Sequence, residues 1–238
     1  MLPKTLLIVD TETTGLNPPQ SSVIELGAIL YSVEHRCVLQ QMSTLLPVCG
    51  DNLAQKINKI SAEASRADYE VSLALALFQQ WLNCADYLVA HNAEFDRQWF
   101  GYESLPVVAK PWLCTYDDFS WAKVSKPGLS LVNLALEHGI GVSSAHRALT
   151  DCQLIAALFD RVENFEALLS KAIARSQEPK VYVVAQVNYE DRHLAKAKGF
   201  RWNQLVQKQW AKKIRESELR EEIAAELLPF EVTIVPIT

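Results

Sequence analysis

Two acidic residues two positions apart, Asp10 and Glu12, follow a short apolar run at residues 4–10. The run is β-branched and apolar, so it reads as a buried strand. Strand side chains two apart face the same way, which sends both carboxylates to one side of the sheet's end. Bare carboxylates held together repel unless a cation neutralises them. Hard oxygen ligands select magnesium or manganese over zinc. An Asp-x-Glu pair is common, and alone it needs no cation. Asp96 follows a second apolar run at residues 86–90, so it can stand at the same end of the sheet, where open α/β folds place their sites. Asp151 falls in the first turns of an expected helix, and His146 precedes it by five residues. Five residues of helix rotate by about 140°, so the two cannot converge if both are helical. His146 is therefore expected on the loop ahead of the helix, free to reach the site as a general base.

The elements that must position these groups follow from periodicity. Strands are expected at residues 4–10, 22–32 and 37–46, the last two joined as an antiparallel hairpin through Glu34-His35-Arg36, and a fourth at 86–90. Helical spacing marks residues 69–83, 93–103, 130–138 (with Ser130 as N-cap and Gly139 as its stop) and a long helix over 148–169. Strands first, then strand–helix alternation, describe an α/β fold with a mixed sheet covered on both faces. Residues 174–179 read as a linker, after which the pattern restarts: strand 181–187, helix 191–198, a strand near 206–214 and a charged helix over 216–228. The expected domains are 1–174 and a small α+β module, 180–238.

The 238 residues are 49% apolar with a formal charge of −5, an ordinary globular composition. No apolar run approaches the roughly 20 residues of a membrane span, and the first residues are too short an apolar stretch for a signal peptide. Five cysteines at 37, 49, 84, 114 and 152 form no CxxC pair, which fits buried, reduced thiols and a cytoplasmic protein. The net charge argues mildly against a polyanion partner, but its distribution argues for one. Residues 1–175 hold 13 basic and 19 acidic side chains, four of the acids being the proposed cation cage, whereas 180–215 hold nine basic and two acidic.

Three segments, DTETTG (10–15), HNAEFD (91–96) and HRALTD (146–151), together resemble the three exonuclease motifs of the DnaQ-like, DEDDh-type 3′–5′ exonucleases, the family of the proofreading subunit of bacterial DNA polymerase III. The resemblance covers roughly residues 4–170, with the motifs in family order. It implies a ribonuclease H-like fold with a five-stranded mixed sheet, and Asp10, Glu12, Asp96 and Asp151 holding two divalent ions, Mg2+ or Mn2+. Four carboxylates suit two cations about 4 Å apart, a spacing for in-line phosphoryl displacement. His146 would take the proton of the attacking water, and 5′-mononucleotides would leave single-stranded 3′ ends, DNA rather than RNA. The resemblance further places Thr13, Gly15 and Leu16 at the terminal nucleotide, Leu16 wedging against the last base, and Asn92 and Phe95 near the terminal sugar; core packing is the other reading of Phe95. Asn58 stands where proofreading subunits commonly carry a histidine, and is assigned to substrate with that departure. A DNA polymerase or another DNA-processing protein is an implied partner. His35, His91, His138 and His193 are expected to pack, cap or face solvent without chemistry.

In the C-terminal module, Lys196, Lys198, Arg201, Trp202 and Lys208 combine cations with an aromatic, the composition of a single-strand platform. So small a module also needs a core, and Trp202 and Trp210 are expected to supply it, leaving the basic face to touch nucleic acid. Two rivals stay open at this point. One is an RNA-trimming or oligoribonuclease-like enzyme of the same family. The other is a catalytically silent nucleic-acid-binding or polymerase-accessory protein, which would have no need of all four carboxylates and His146.

Overall fold

A computed structural model describes residues 2–121 and 129–236. In chain order its elements are β1 (Thr5–Thr13), β2 (Val23–Ser32), β3 (Cys37–Leu45), α1 (Gln55–Asn58), α2 (Ala62–Ser65), α3 (Val71–Cys84), β4 (Tyr87–Ala90), α4 (Ala93–Arg97), β5 (Trp112–Cys114), α5 (Leu131–Glu137), α6 (Ala148–Arg161) and α7 (Phe165–Ser176). There follow β6 (Lys180–Ala185), α8 (Arg192–Ala197), β7 (Arg201–Trp202), β8 (Trp210–Arg215), α9 (Glu216–Ala224) and β9 (Val232–Val235). Chain contacts divide into two units, Met1–Ser176 and Gln177–Thr238. No described helix is long and apolar enough to cross a membrane.

The first unit is a five-stranded mixed sheet in the order β3-β2-β1-β4-β5. β1 to β3 are antiparallel, and β4 and β5 run parallel to β1. The Leu6–Val9 stretch of β1 is buried on both faces, which is why it is continuously apolar. Leu6 and Ile8 face a core shared with α5, α6 and α7. Leu7 and Val9 face another, built with α3 and the segment around Trp99. That alternation decides the site: Asp10 and Glu12 continue the Leu6–Ile8 row towards α6, while Thr11 continues the Leu7–Val9 row towards α4.

Several expectations are corrected. The helix expected over 93–103 stops at Arg97, and the chain turns back so that Gly101, at φ 86°, donates its N–H to Leu105. The long helix over 148–169 is two helices. The Arg36 guanidinium donates to the carbonyls of Phe159, Asp160 and Val162, satisfying groups at the end of α6 that a continuous helix would bond itself. Val162 is extended, and α7 then starts afresh and runs through residues 174–176, which read as linker. Cys152 is buried as expected, but Cys37, Cys49 and Cys84 are exposed; all five thiols are free.

The second unit is an antiparallel sheet in the order β7-β8-β6-β9. Its core is Val181, Val183, Ala185, Ala195, Phe200, Ile214 and Leu219. The expected tryptophan core is not what forms: Phe200 is buried, Trp210 packs on the core from its edge, and Trp202 is 52% exposed. The strand expected near 206–214 begins at Trp210, because residues 203–209 make the turn from β7. α9 ends at Ala224 rather than 228, and β9 adds an edge strand.

Candidate active site

β1 outruns β4. Only Leu6, Leu7 and Ile8 pair with β4, so beyond Ile8 the β4-facing edge of β1 is open to other partners. β4 ends at Ala90, Asn92 takes a left-handed conformation (φ 67°), and α4 brings Asp96 back to that edge. There Asp96 Oδ1 accepts from the Thr11 N–H at 2.9 Å and from the Thr11 hydroxyl at 2.8 Å. The carboxylate substitutes for the missing strand neighbour, and this is what fixes Asp96 beside Asp10.

Asp151 arrives on the apolar stripe of α6, four and seven residues before the buried Ile155 and Leu158. Glu12, His146 and Asp151 each offer one ligand atom, all within 4.8 Å of one another. His146 lies on the loop before α6, at φ 61°, a region few non-glycine residues occupy. Strain of this kind collects at functional sites and persists where neighbours over-determine it.

The neighbour here is Glu25, which the sequence reading missed. It sits opposite Glu12 in the β1–β2 ladder and is 1% exposed. Its Oε1 accepts from Arg147 Nη2 (2.8 Å) and the Ser43 hydroxyl (2.7 Å), and its Oε2 from Arg147 Nε and the Ala148 N–H (both 3.0 Å). Burial pushes the Glu25 carboxyl up, but these donors outweigh it and hold the group below its ordinary range. Glu25 thus caps the start of α6 from across the sheet, where Arg147 offers no side-chain cap. Gly27, two residues on, lets α6 come down: a Cβ there would lie 2.4 Å from the Ala148 carbonyl carbon and 2.5 Å from Leu149 N. A signal was present, since Glu25 is a lone charge in an otherwise uncharged, wholly buried strand, and such a charge demands a partner.

The carboxylates raise one another. Asp10 is pushed well up by burial first, then by the charges of Asp96, Asp151, Glu12 and Glu25. Burial, Asp151, Glu25 and Asp96 lift Glu12 to about 8, against a downward pull from Arg147. Burial raises Asp96 to about 7 despite the Thr11 hydrogen bonds, and Asp151 to about 6 despite His146. Asp151 Oδ1 is buried with no hydrogen-bond partner. An unbonded buried oxygen among clustered carboxylates fits a hard divalent cation.

A pH dependence of stability follows. These acids have folded-state pKa values above their unfolded ones. Between the ordinary carboxylate range and about 8 the folded chain keeps protons that the unfolded chain has released, so stability falls as pH rises through that window. Metal-free protein should lose on the order of 5 °C in Tm from about pH 5 to about pH 8, and Mg2+ or Mn2+ added at the higher pH should restore it. A flat calorimetric profile would mean that the acids share no field.

The remaining expected residues divide. The Thr13 hydroxyl donates to the Gly15 carbonyl at 2.6 Å, and Leu16 projects from the turn, 73% exposed. Asn92 is exposed. Phe95 packs edge-on to Trp99, its ring 6.1 Å away, on the α3 side of the sheet. Asn58 is corrected: it is fully buried, donates to the Thr13 carbonyl at 3.2 Å and accepts from Asn52 and the Ile60 N–H. It braces the end of β1 from behind and presents no surface to a ligand. His91, bonded to Thr115 and the Leu129 carbonyl, is lowered by burial to about 4 and packs as a neutral ring. Lys196, Lys198, Arg201, Trp202 and Lys208 are exposed on the second unit.

An acidic cluster at the end of the central strand of a ribonuclease H-like sheet defines a nuclease of the divalent-metal-dependent, phosphodiester-cleaving kind. The chain belongs to the RNase_T exonuclease family, whose pattern matches residues 7–159, and it shares the fold of the DEDDh 3′–5′ exonucleases. Residues 181–235 match a domain of unknown function, DUF8626. Among relatives, the chain is 32% identical over 161 residues to DNA polymerase III subunit epsilon of Treponema pallidum, covering 63% of this chain and 72% of that one. It is 28% identical over 183 residues to exodeoxyribonuclease 10 of Escherichia coli, covering 71% and 73%. It is similar in structure to exonuclease X bound to 5′-overhanging duplex DNA (TM-score 0.52, 25% identity, 70% of this chain and 99% of that one). It also shares a fold with the zinc-bound complex of E. coli exonuclease I with single-stranded DNA (TM-score 0.62, 15% identity, 94% and 67%).

Proposed function

We propose that this enzyme removes 5′-mononucleotides from single-stranded 3′ ends, DNA in preference to RNA, with His146 as general base. The observation that carries the reading is the convergence of Glu12, His146 and Asp151 within 4.8 Å beside the buried, unbonded Asp151 Oδ1. Asp10, Glu12, Asp96 and Asp151 would hold two divalent ions, magnesium or manganese, which when bound supply charge neutralisation at the scissile phosphate and a more acidic attacking water. The chain's own contribution is placement. His146, exposed on its loop within 4.8 Å of the Glu12 and Asp151 carboxylates, takes the water's proton on a ring nitrogen. Leu16, projecting from the end of β1, gives the last base an apolar surface, with the Thr13–Gly15 backbone beside it. Asn92, exposed at the start of α4, would meet the terminal sugar, and Phe95, edge-on to Trp99, helps to pack α4. The DNA-directed names of the relatives support DNA over RNA. The polymerase-subunit relatives support a DNA polymerase partner and, for a bacterial protein handling DNA, a cytoplasmic setting.

The test is digestion of 5′-labelled single-stranded DNA, duplex DNA and RNA with magnesium or manganese. A ladder shortening from the 3′ end of the single-stranded DNA is expected. His146→Gln should lower kcat by about 10²–10⁴-fold while leaving the calorimetric Mn2+ affinity within about threefold, as a base does and a cation ligand does not. Faster digestion of RNA would reverse the substrate assignment, and full activity in His146→Gln would end its role.

A further inference from the structure

We propose that the outer edge of the C-terminal sheet is a binding site for single-stranded DNA, in which Trp202 stacks on bases and the exposed lysines of the same module contact phosphates. This goes beyond the exonuclease reading, because it requires neither a cation nor hydrolysis. Trp202 stands outside the module's core. The module's core closes around Phe200, 1% exposed, with Val183, Ala195 and Leu219, while Trp202 leaves about half its surface in water. An exposed indole held rigidly calls for a partner with a flat apolar face. The holding is done by Trp210, its direct cross-strand partner, whose ring lies 5.9 Å away at 53°. The β7–β8 loop is braced in turn: Asn203 and Lys208 both have positive φ (53° and 54°), and the Lys208 N–H donates to Asn203 Oδ1 at 2.7 Å.

Charge supplies the second observation. Lys196 and Lys198 close α8, the buried Phe200 anchors the chain just after them, and Trp202 follows two residues later. These lysines and Lys208 are exposed and form no ion pair among the described residues. Acids of α9 are taken up elsewhere, Glu222 by Lys212 at 2.6 Å and Glu218 by Arg215 at 3.5 Å. Arg201 lies on the same two-residue strand as Trp202, its side chain towards the opposite face, where it adds a further cation at the edge. Unneutralised cations within a few residues of an exposed aromatic, in a chain of net charge −5, match a phosphate backbone with unstacked bases.

The test uses the full chain in EDTA with 5′-fluorescein-labelled dT20 and fluorescence anisotropy. Trp202→Ala should weaken binding about tenfold, and Trp202→Phe should restore most of it, since a base stacks on either ring. Lys196→Ala/Lys198→Ala/Lys208→Ala should lower the slope of log K against log salt by about two, at roughly 0.7 per lost phosphate contact. These side chains are exposed, so unchanged melting of each variant checks folding. Absence of binding by the wild type, or unchanged affinity in Trp202→Ala with an unchanged salt slope in the lysine variant, would overturn the proposal. Equal losses in the Phe and Ala variants would also overturn it. Because nothing is cleaved in EDTA, failure here is distinct from failure of the exonuclease reading.

Discussion

Asp10→Asn should cost about a thousand-fold or more in exonuclease rate and at the same time raise the melting temperature of the metal-free protein. The loss follows from the charge stabilisation that bound cations give to phosphoryl transfer, worth several kcal/mol, at a tenfold in rate for each roughly 1.4 kcal/mol. The gain follows from the same geometry. Asp10 is half-buried amid four other acids that all raise it, so its charge is unfavourable in the folded state. A neutral amide of the same shape removes that repulsion, and at about pH 8 a rise of several degrees is expected. Single-turnover cleavage and calorimetry on the same preparation check both halves. A variant that loses rate and also melts lower would show that Asp10 holds the fold together by hydrogen bonding rather than straining it by charge. This opposition of stability and function is usual where a site is assembled to receive a ligand.

The second large effect is expected at the Glu25–Arg147 pair. Arg147→Ala leaves the Glu25 carboxylate, 1% exposed, with only Ser43 and the Ala148 N–H as donors. Breaking a buried pair by removing one partner costs about 3–5 kcal/mol. The Arg147 side chain is 46% exposed, so a cost near the lower end, about 3 kcal/mol, is expected here. Glu25 is held below its ordinary pKa, so its stabilisation is present above the ordinary carboxylate range and lost as pH falls through the folded value. The Arg147→Ala cost should accordingly shrink in acid. kcat should fall as well, because Arg147 adjoins His146 and the pair sets where α6 begins, with Asp151 in its first turn. Gly27→Ala attacks the same junction from below: its Cβ would stand 2.7 Å from the Ala148 carbonyl oxygen, and backbone cannot rotate away. Denaturant melts with kcat and KM for each variant, and Arg147→Lys as the conservative control, separate the outcomes. Wild-type kcat in Arg147→Ala would confine the pair to stability.

Much of the sheet was legible because its signals are local. The runs at residues 4–10, 22–32 and 86–90 are apolar enough to be strands wherever they pack, and Ser130 and Gly139 mark the ends of α5 by their own chemistry. Errors arose where a distant residue intervenes. Arg36 breaks the long helix by taking carbonyls more than 120 positions away. Asn58 looked like a ligand contact by its place in a motif, but its amide is committed to Asn52, Thr13 and Ile60. Trp202 looked like core because tryptophan buries much area, and its pairing with Trp210 does put it on the core-facing side, yet β7 is an edge strand and leaves it 52% exposed.

By itself the sequence determined the identity and order of Asp10, Glu12, Asp96, His146 and Asp151, the family, and the loop position of His146, since a helix cannot turn two side chains five residues apart to one point. Only the tertiary structure decided what holds them. Thr11 fastens Asp96 across 85 positions, and Glu25 fastens Arg147 across 122 and Ala148 across 123. The reason is range. Periodicity and motif spacing record what a residue does to its neighbours along the chain. The partner of a buried charge is settled by which elements the core brings together, and that is a property of the packed whole.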